Sequence, residues 1–191
     1  MTLEQQMRKM FRDNILPIMQ VNATKDFNDA KSYILSAVES HEVSRELRDK
    51  NVPSRFLNSS SSTLFGFMGF EEGSDPVGDL VAYLEENITQ KIQVRIGDLT
   101  LLSSVSLPSK SKMAKEPSLQ LPWLNGISWP DALERGIPNF SSFIGKPNQG
   151  RSALGIQAKV KGTNQPQIVR DAEMEPVDFL TPIFSVAKRS A

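Results

Sequence analysis

KIQVRIGDLTLLSSVSL, residues Lys91 to Leu107, is the stretch that decides the fold class. Ile92, Val94 and Ile96 alternate with Gln93 and Arg95, and Leu99, Leu101 and Val105 recur beyond a Gly97-Asp98 pair suited to a tight turn. The pattern predicts a β-hairpin with Ile92, Val94 and Ile96 facing a core. A two-stranded ribbon is marginal alone in water, so its apolar face must be covered by the segments on either side.

Upstream, those segments read as helices. Leu3, Met7, Met10, Phe11 and Leu16 recur at helical spacing up to Pro17, which should end or kink a first helix. A second helix is expected from about Thr24, with Phe27, Ala30, Ile34 and Val38 on one face and Asn22 or Thr24 as its cap. His41 falls at the far end, where a favourable interaction with the helix C-terminal dipole is its plainest role. HEVSRELRDKN then allows a short polar helix held by Val43 and Leu47, and Asn58 with Ser59 to Ser62 reads as a flexible loop. LFGFMGF, residues 64–70, packs Leu64, Phe65, Phe67, Met68 and Phe70 around two glycines. It is too apolar for a surface loop and too glycine-rich for a stable helix, which leaves a buried loop, a short strand or an interface. Ser74-Asp75-Pro76 opens a helix striped by Val77, Leu80, Val81 and Leu84 and ending near Asn87.

Downstream, PSKSKMAKEPSLQ carries three lysines, two prolines and almost no apolar residues, and is expected as an extended arm over about 108–120, mobile in a free subunit. Ser128 is placed to cap a short helix with Pro130 and Asp131 in its first turn and Gly136 past its end. ALGIQAKV, residues 153–160, alternates again and is expected as a third strand, antiparallel in the hairpin's sheet. Phe179, Leu180, Ile183, Phe184 and Ala187 recur at helical spacing and are expected to form a short terminal helix, with Pro182 in its first turn if Asp178 or Thr181 is the cap. The fold class is therefore α+β: N-terminal helices on a small antiparallel sheet, a long extended loop and a short C-terminal helix, all in one domain over residues 1–191.

Composition removes several function classes. Lys plus Arg and Asp plus Glu each number 22 in 191 residues, so no overall field draws nucleic acid, an anionic membrane or an acidic substrate. Cys is absent, which removes disulfides, thiolate chemistry and Cys-ligated zinc, and the single His41 makes no metal site alone. No apolar run is long enough to cross a membrane, and MTLEQQMRKMF does not read as a signal peptide. The four glycosylation sequons at Asn22, Asn58, Asn87 and Asn139 therefore read as chance.

Motifs for catalysis are equally thin. GKPNQGRS, residues 145–152, has the spacing of a phosphate-binding loop with Arg151 in place of its lysine, but strand-like ALGIQAKV follows where a helix should receive the phosphates. Glu71-Glu72, Glu85-Glu86 and Glu173 with Glu175 are carboxylates on polar segments, with nothing to hold two of them in a cleft. One His and no G-x-S-x-G elbow give no Ser nucleophile. No enzyme activity, cofactor or metal is expected.

Four blocks in order, VESHEVSREL, TLFGFMGFEEGSDPVGDL, SWPDALERGIPNF and GRSALGIQAK, span most of the chain and resemble a group of tailed-bacteriophage virion proteins of the neck and tail-completion region. The resemblance implies a structural protein of the head-tail joining or tail-terminator kind. Its copies would form a homo-oligomeric, hexameric ring that joins or caps the tail tube below the connector. It implies a virion location after synthesis in the host cytoplasm, with neck, connector or tube proteins as neighbours, and neither a membrane nor sequence-specific nucleic acid as partner. Candidate subunit-interface residues are the dense aromatic positions Phe65, Phe67, Met68, Phe70, Trp123, Trp129, Phe140 and Phe143 and the arm lysines Lys110, Lys112 and Lys115. The alternative is a monomeric adaptor or regulatory binding module.

Overall fold

The structure is a computed structural model and describes residues 1–57, 63–122, 124–136, 144–145, 157–158, 174 and 176–189. Its longest feature is helical from near the start of the chain. The Thr2 hydroxyl accepts from the Gln5 N–H while the Gln5 side chain accepts from the Thr2 N–H, a capping box that opens α1, Leu3–Met10. One π-helical turn, Phe11–Ile15, leads straight into α2, Leu16–Ser40. The helix expected to end or kink at Pro17 therefore runs through it, with its irregularity in the π turn just before. A proline lacks the N–H of the ladder and its ring crowds the preceding turn. The wider π turn relieves both just before it, and Pro17 falls in the opening turn of α2, where its N–H is not needed. No cap is used at Asn22 or Thr24; the Thr24 hydroxyl donates back to the Gln20 carbonyl at 2.9 Å.

The second half of α2 carries the core. Ile34 and Val38 are fully buried, and α2 packs on α5 (Pro76–Asn87), on α8 (Leu180–Arg189) and on strand β2 (Thr100–Ser106). Between α2 and α3, Glu42–Arg48, the backbone of His41 is extended, and its Nδ1 accepts from the Val43 N–H at 3.3 Å. His41 thus caps the start of α3 as a neutral acceptor, and the expected role as a cation at the end of α2 is corrected. LFGFMGF contains a helix after all, α4, Leu64–Met68: Thr63 caps it through the Gly66 N–H, and Gly69 ends it at φ 75°. Burial of Leu64, Phe65, Phe67 and Met68 offsets the poor helix propensity of this segment. Asp75 caps α5 through the Gly78 N–H at 2.9 Å, and Val77, Leu80 and Leu84 are buried, as expected.

The hairpin forms with the expected topology: β1, Thr89–Arg95, pairs antiparallel with β2, Thr100–Ser106, setting Gln90, Ile92 and Val94 opposite Val105, Ser103 and Leu101. Its turn spans Ile96 to Leu99, with Leu99 at φ 51°. Only one end of the apolar face is covered. The Gln90 amide donates to the Ala23 carbonyl of α2 at 2.8 Å, whereas Ile92 and Val94 are each 37% exposed. The reading that Ile92, Val94 and Ile96 enter the core is corrected accordingly.

Two further expectations change. Segment 108–120 is not an extended arm: Ser109 caps the short helix α6, Lys110–Met113, and a 3-10 turn at Pro117–Leu119 runs into β3, Gln120–Leu121. Met113 and Leu119, at 2% and 0% exposed, anchor the segment to the core, so two apolar residues suffice where the composition suggested none. The third strand also pairs elsewhere. β6, Gln157–Ala158, joins β5, Ile144–Gly145, in a sheet separate from the hairpin, because alternation sets a strand's faces without naming its neighbour. The rest of 153–160, the serine loop 59–62 and most of GKPNQGRS lie outside the described residues. β4, Leu124–Ser128, pairs with β3 and leads into α7, Trp129–Arg135. Ser128 stands at the N-cap of α7 without bonding it, and Gly136 ends α7 at φ 72°, where a Cβ would come within 2.9 Å of the Met174 carbonyl.

Candidate functional site

Three of the four quoted blocks meet at one junction. The His41 ring lies 4.9 Å from Phe179, which stacks on Trp129 at 5.7 Å. The Trp129 edge meets Phe70 at 6.2 Å, Phe70 meets Phe65 at 5.6 Å, and Lys50 Nζ sits 4.3 Å over the Phe65 ring. The run ties α2–α3, α4 and its exit, α7 and the start of α8 into one packed ladder. Phe179 and Trp129 are fully buried, so the ladder stiffens the fold and offers no floor for a ligand. Burial and, to a smaller degree, Arg45 lower the pKa of His41 against the pull of Glu42, which suits a ring that must keep Nδ1 free as an acceptor.

A cluster of charges flanks the ladder. Lys110 Nζ is 3.0 Å from Asp131 and 2.9 Å from Glu134, and Arg135 meets Asp131 at 2.8 Å. Glu134 also accepts the Thr181 N–H and, at 2.8 Å, the Thr181 hydroxyl, so one carboxylate of α7 caps α8 from across the fold. Burial pushes the Glu134 carboxyl up, but the bonds from Lys110 and Thr181 outweigh it and hold the group below the usual range; Lys110 is raised by Glu134 and then Asp131. On α3, Glu46 plays a similar part, accepting from the Ser54 hydroxyl and the Arg55 N–H. Each carboxylate has a structural duty, and among the described residues no group of His, Asp and Glu is arranged to hold a metal ion.

The proposed interface residues divide on burial. Phe65, Phe67, Met68 and Trp129 are interior, so they face no partner without opening the core, and Phe70 is half-buried in the ladder. Lys110 is tied down within the chain, while Lys112 and Lys115 are exposed. Trp123, Phe140 and Phe143 lie outside the described residues. The apolar surface that is exposed lies elsewhere, along the N-terminal helix. Leu3, Met10, Ile18 and Val21 are 73%, 52%, 63% and 69% exposed, with Met7 and Ile15 beside them, and α1 buries no residue at all. Phe11, Leu16, Met19 and Ala23 turn inward over this half of the helix, Phe11 and Ala23 being buried. The signal was present as two apolar stripes on one helix, of which a single core contact accounts for one. The hairpin adds Ile92 and Val94, partly exposed on one of its faces, and Leu102, exposed on the opposite face beside Gln93.

No protein-family model, no curated protein and no solved structure matches this chain. No helix among the described residues is long and apolar enough to cross a membrane.

Proposed function

We propose that the chain is a non-enzymatic structural protein of the tailed-phage neck and tail-completion region, whose copies close into a sixfold ring that joins or caps the tail tube below the connector. In the virion its neighbours would be neck, connector or tube proteins. The observation that carries the reading is the pair of unlike apolar surfaces, the helical ridge of residues 3–21 and the hairpin face, which a ring subunit needs for contacts with its neighbours. The resemblance of four ordered blocks supports it, since three of them converge on the His41–Phe179–Trp129–Phe70 ladder that would hold those surfaces at a constant angle. Electron microscopy and native mass measurement of the purified chain, alone and with tail tubes, test the reading. Sixfold rings, or stable addition to tube ends, are expected. A chain of single mass that ignores tubes and captures one soluble partner would replace the reading with a monomeric adaptor.

A further inference from the structure

The exposed stripe of the long helix has an order that a general sticky surface does not need. Leu3, Met7, Met10, Asn14, Ile18, Val21 and Lys25 are all exposed and follow one another at intervals of 4, 3, 4, 4, 3 and 4 residues. Stepping at about 100° per residue in α1 and α2 and by less through the π turn Phe11–Ile15, they share one face, turned away from the Phe11, Leu16, Met19 and Ala23 side that meets the domain. The interval series is a palindrome centred on Asn14. Turning the helix end for end about Asn14 therefore brings Met7 opposite Val21, Met10 opposite Ile18 and Asn14 opposite itself. The same operation sets every charged residue of the segment against a neutral one: Glu4 meets Thr24, Arg8 meets Gln20, Lys9 meets Met19, Arg12 meets Leu16, Asp13 meets Ile15 and Lys25 meets Leu3.

We propose that this face pairs with the same face of a second copy of the chain, the two helices running antiparallel across a twofold axis at Asn14. A self-complementary face is what an isologous contact requires, and a lone polar residue at the centre of an apolar seam sets register, as a buried Asn does in coiled coils. The area is sufficient. The apolar residues from Leu3 to Val21 expose on the order of 600 Å² per chain, and with their polar flanks this approaches the roughly 800 Å² per partner of a standard stable interface. The basic and acidic residues that border the stripe are mixed in sign, with Arg8 bonded to Glu4, which favours a protein partner over an anionic lipid surface. The pairing competes with the ring reading for the same ridge, since an isologous contact leaves only the hairpin face for other neighbours, and hexamers in which Asn14→Cys does not cross-link would favour the ring contact and overturn the pairing.

Sedimentation of the full chain from micromolar to submillimolar concentration tests the pairing. The expected mass is twice the 21.2 kDa of one chain, or an even multiple of it. Met10→Glu and Ile18→Glu, at residues that are 52% and 63% exposed in the single chain, should each halve that mass and leave the circular dichroism spectrum and Tm of the monomer intact. Gln20→Glu, off the stripe, should leave the mass unchanged. Register is read separately: Asn14→Cys should form a disulfide-linked dimer on mild oxidation, and Arg12→Cys should not. A wild-type chain of single mass throughout, a mass that ignores both Met10→Glu and Ile18→Glu, or equal cross-linking at positions 12 and 14 would overturn the pairing. Single-mass chain that sediments with anionic phosphatidylserine vesicles would assign the face to a membrane instead.

Discussion

Removing the Glu134 carboxylate should release the C-terminal helix. In the structure Glu134 is 8% exposed at its side chain and receives three hydrogen bonds, from Lys110 Nζ, the Thr181 N–H and the Thr181 hydroxyl. A hydrogen bond to a charged group contributes about 1.5–3 kcal/mol, and three at full value would exceed what is recoverable here. Lys110 keeps Asp131 in the mutant, and the exposed Thr181 groups regain water. The net cost of Glu134→Ala is therefore about 3 kcal/mol, which in a chain of this size lowers Tm by roughly 6–12 °C. Glu134→Gln, which keeps one acceptor and loses the charge, should fall about halfway. Calorimetry gives the cost, and amide hydrogen exchange should show the first turn of α8 opening well before α5. The pH dependence follows in sign. The folded-state pKa of Glu134 lies below its unfolded value near about 4.3, so its stabilisation is fully present above that value and is lost as pH falls through the folded pKa. An alanine variant within about 1 kcal/mol of wild type, with α8 exchange unchanged, would refute the long-range cap.

His41 should confer a second, higher pH dependence: its folded pKa is lowered, so its contribution is complete above about 6.5 and declines as pH drops through the folded value. Urea unfolding at pH 7.5 and 5 should show the loss in wild type and a much smaller one in His41→Asn, which keeps an acceptor for the Val43 N–H. Trp129 is fully buried with its indole N–H unpartnered among the described residues; Trp129→Phe should cost under about 1.5 kcal/mol because it removes that orphan donor, against about 3–5 kcal/mol for Trp129→Ala by denaturant titration. Val94→Asp, at a position 37% exposed, should express in soluble form, whereas Leu84→Asp, at a fully buried one, should not. Trypsin should cut slowly at Lys110, which is paired with Asp131 and Glu134 in α6, and mass spectrometry of the first fragments would expose a mobile arm if one existed.

The N-terminal helix shows where reading by period succeeds and where it stops. The spacing of Leu3, Met7 and Met10 marked a helix without saying whether anything lies against it, because an amphipathic stripe looks the same in a core and at an uncovered surface. Pro17 marked a break for a sound local reason, and the π turn that absorbs it has no signature in residue type. The candidate interface was misassigned by the same limit: Phe65, Phe67, Met68 and Trp129 had the composition of a contact surface, and the chain uses them inside itself.

Local chemistry was settled by the sequence. The α+β class, the hairpin and its pairing, the Asp75-Pro76 helix start and the Gly136 stop all follow from interactions within a few residues, which neighbouring side chains and backbone geometry determine. Tertiary structure decided everything that joins distant positions. Met113 and Leu119 bind a lysine-rich segment to the core, and Glu134 caps a helix 47 residues away. His41 becomes a neutral cap rather than a cation, and one stripe of the long helix stays in water. Burial depends on which surfaces happen to meet, and no pattern within one segment carries the identity of the surface opposite it.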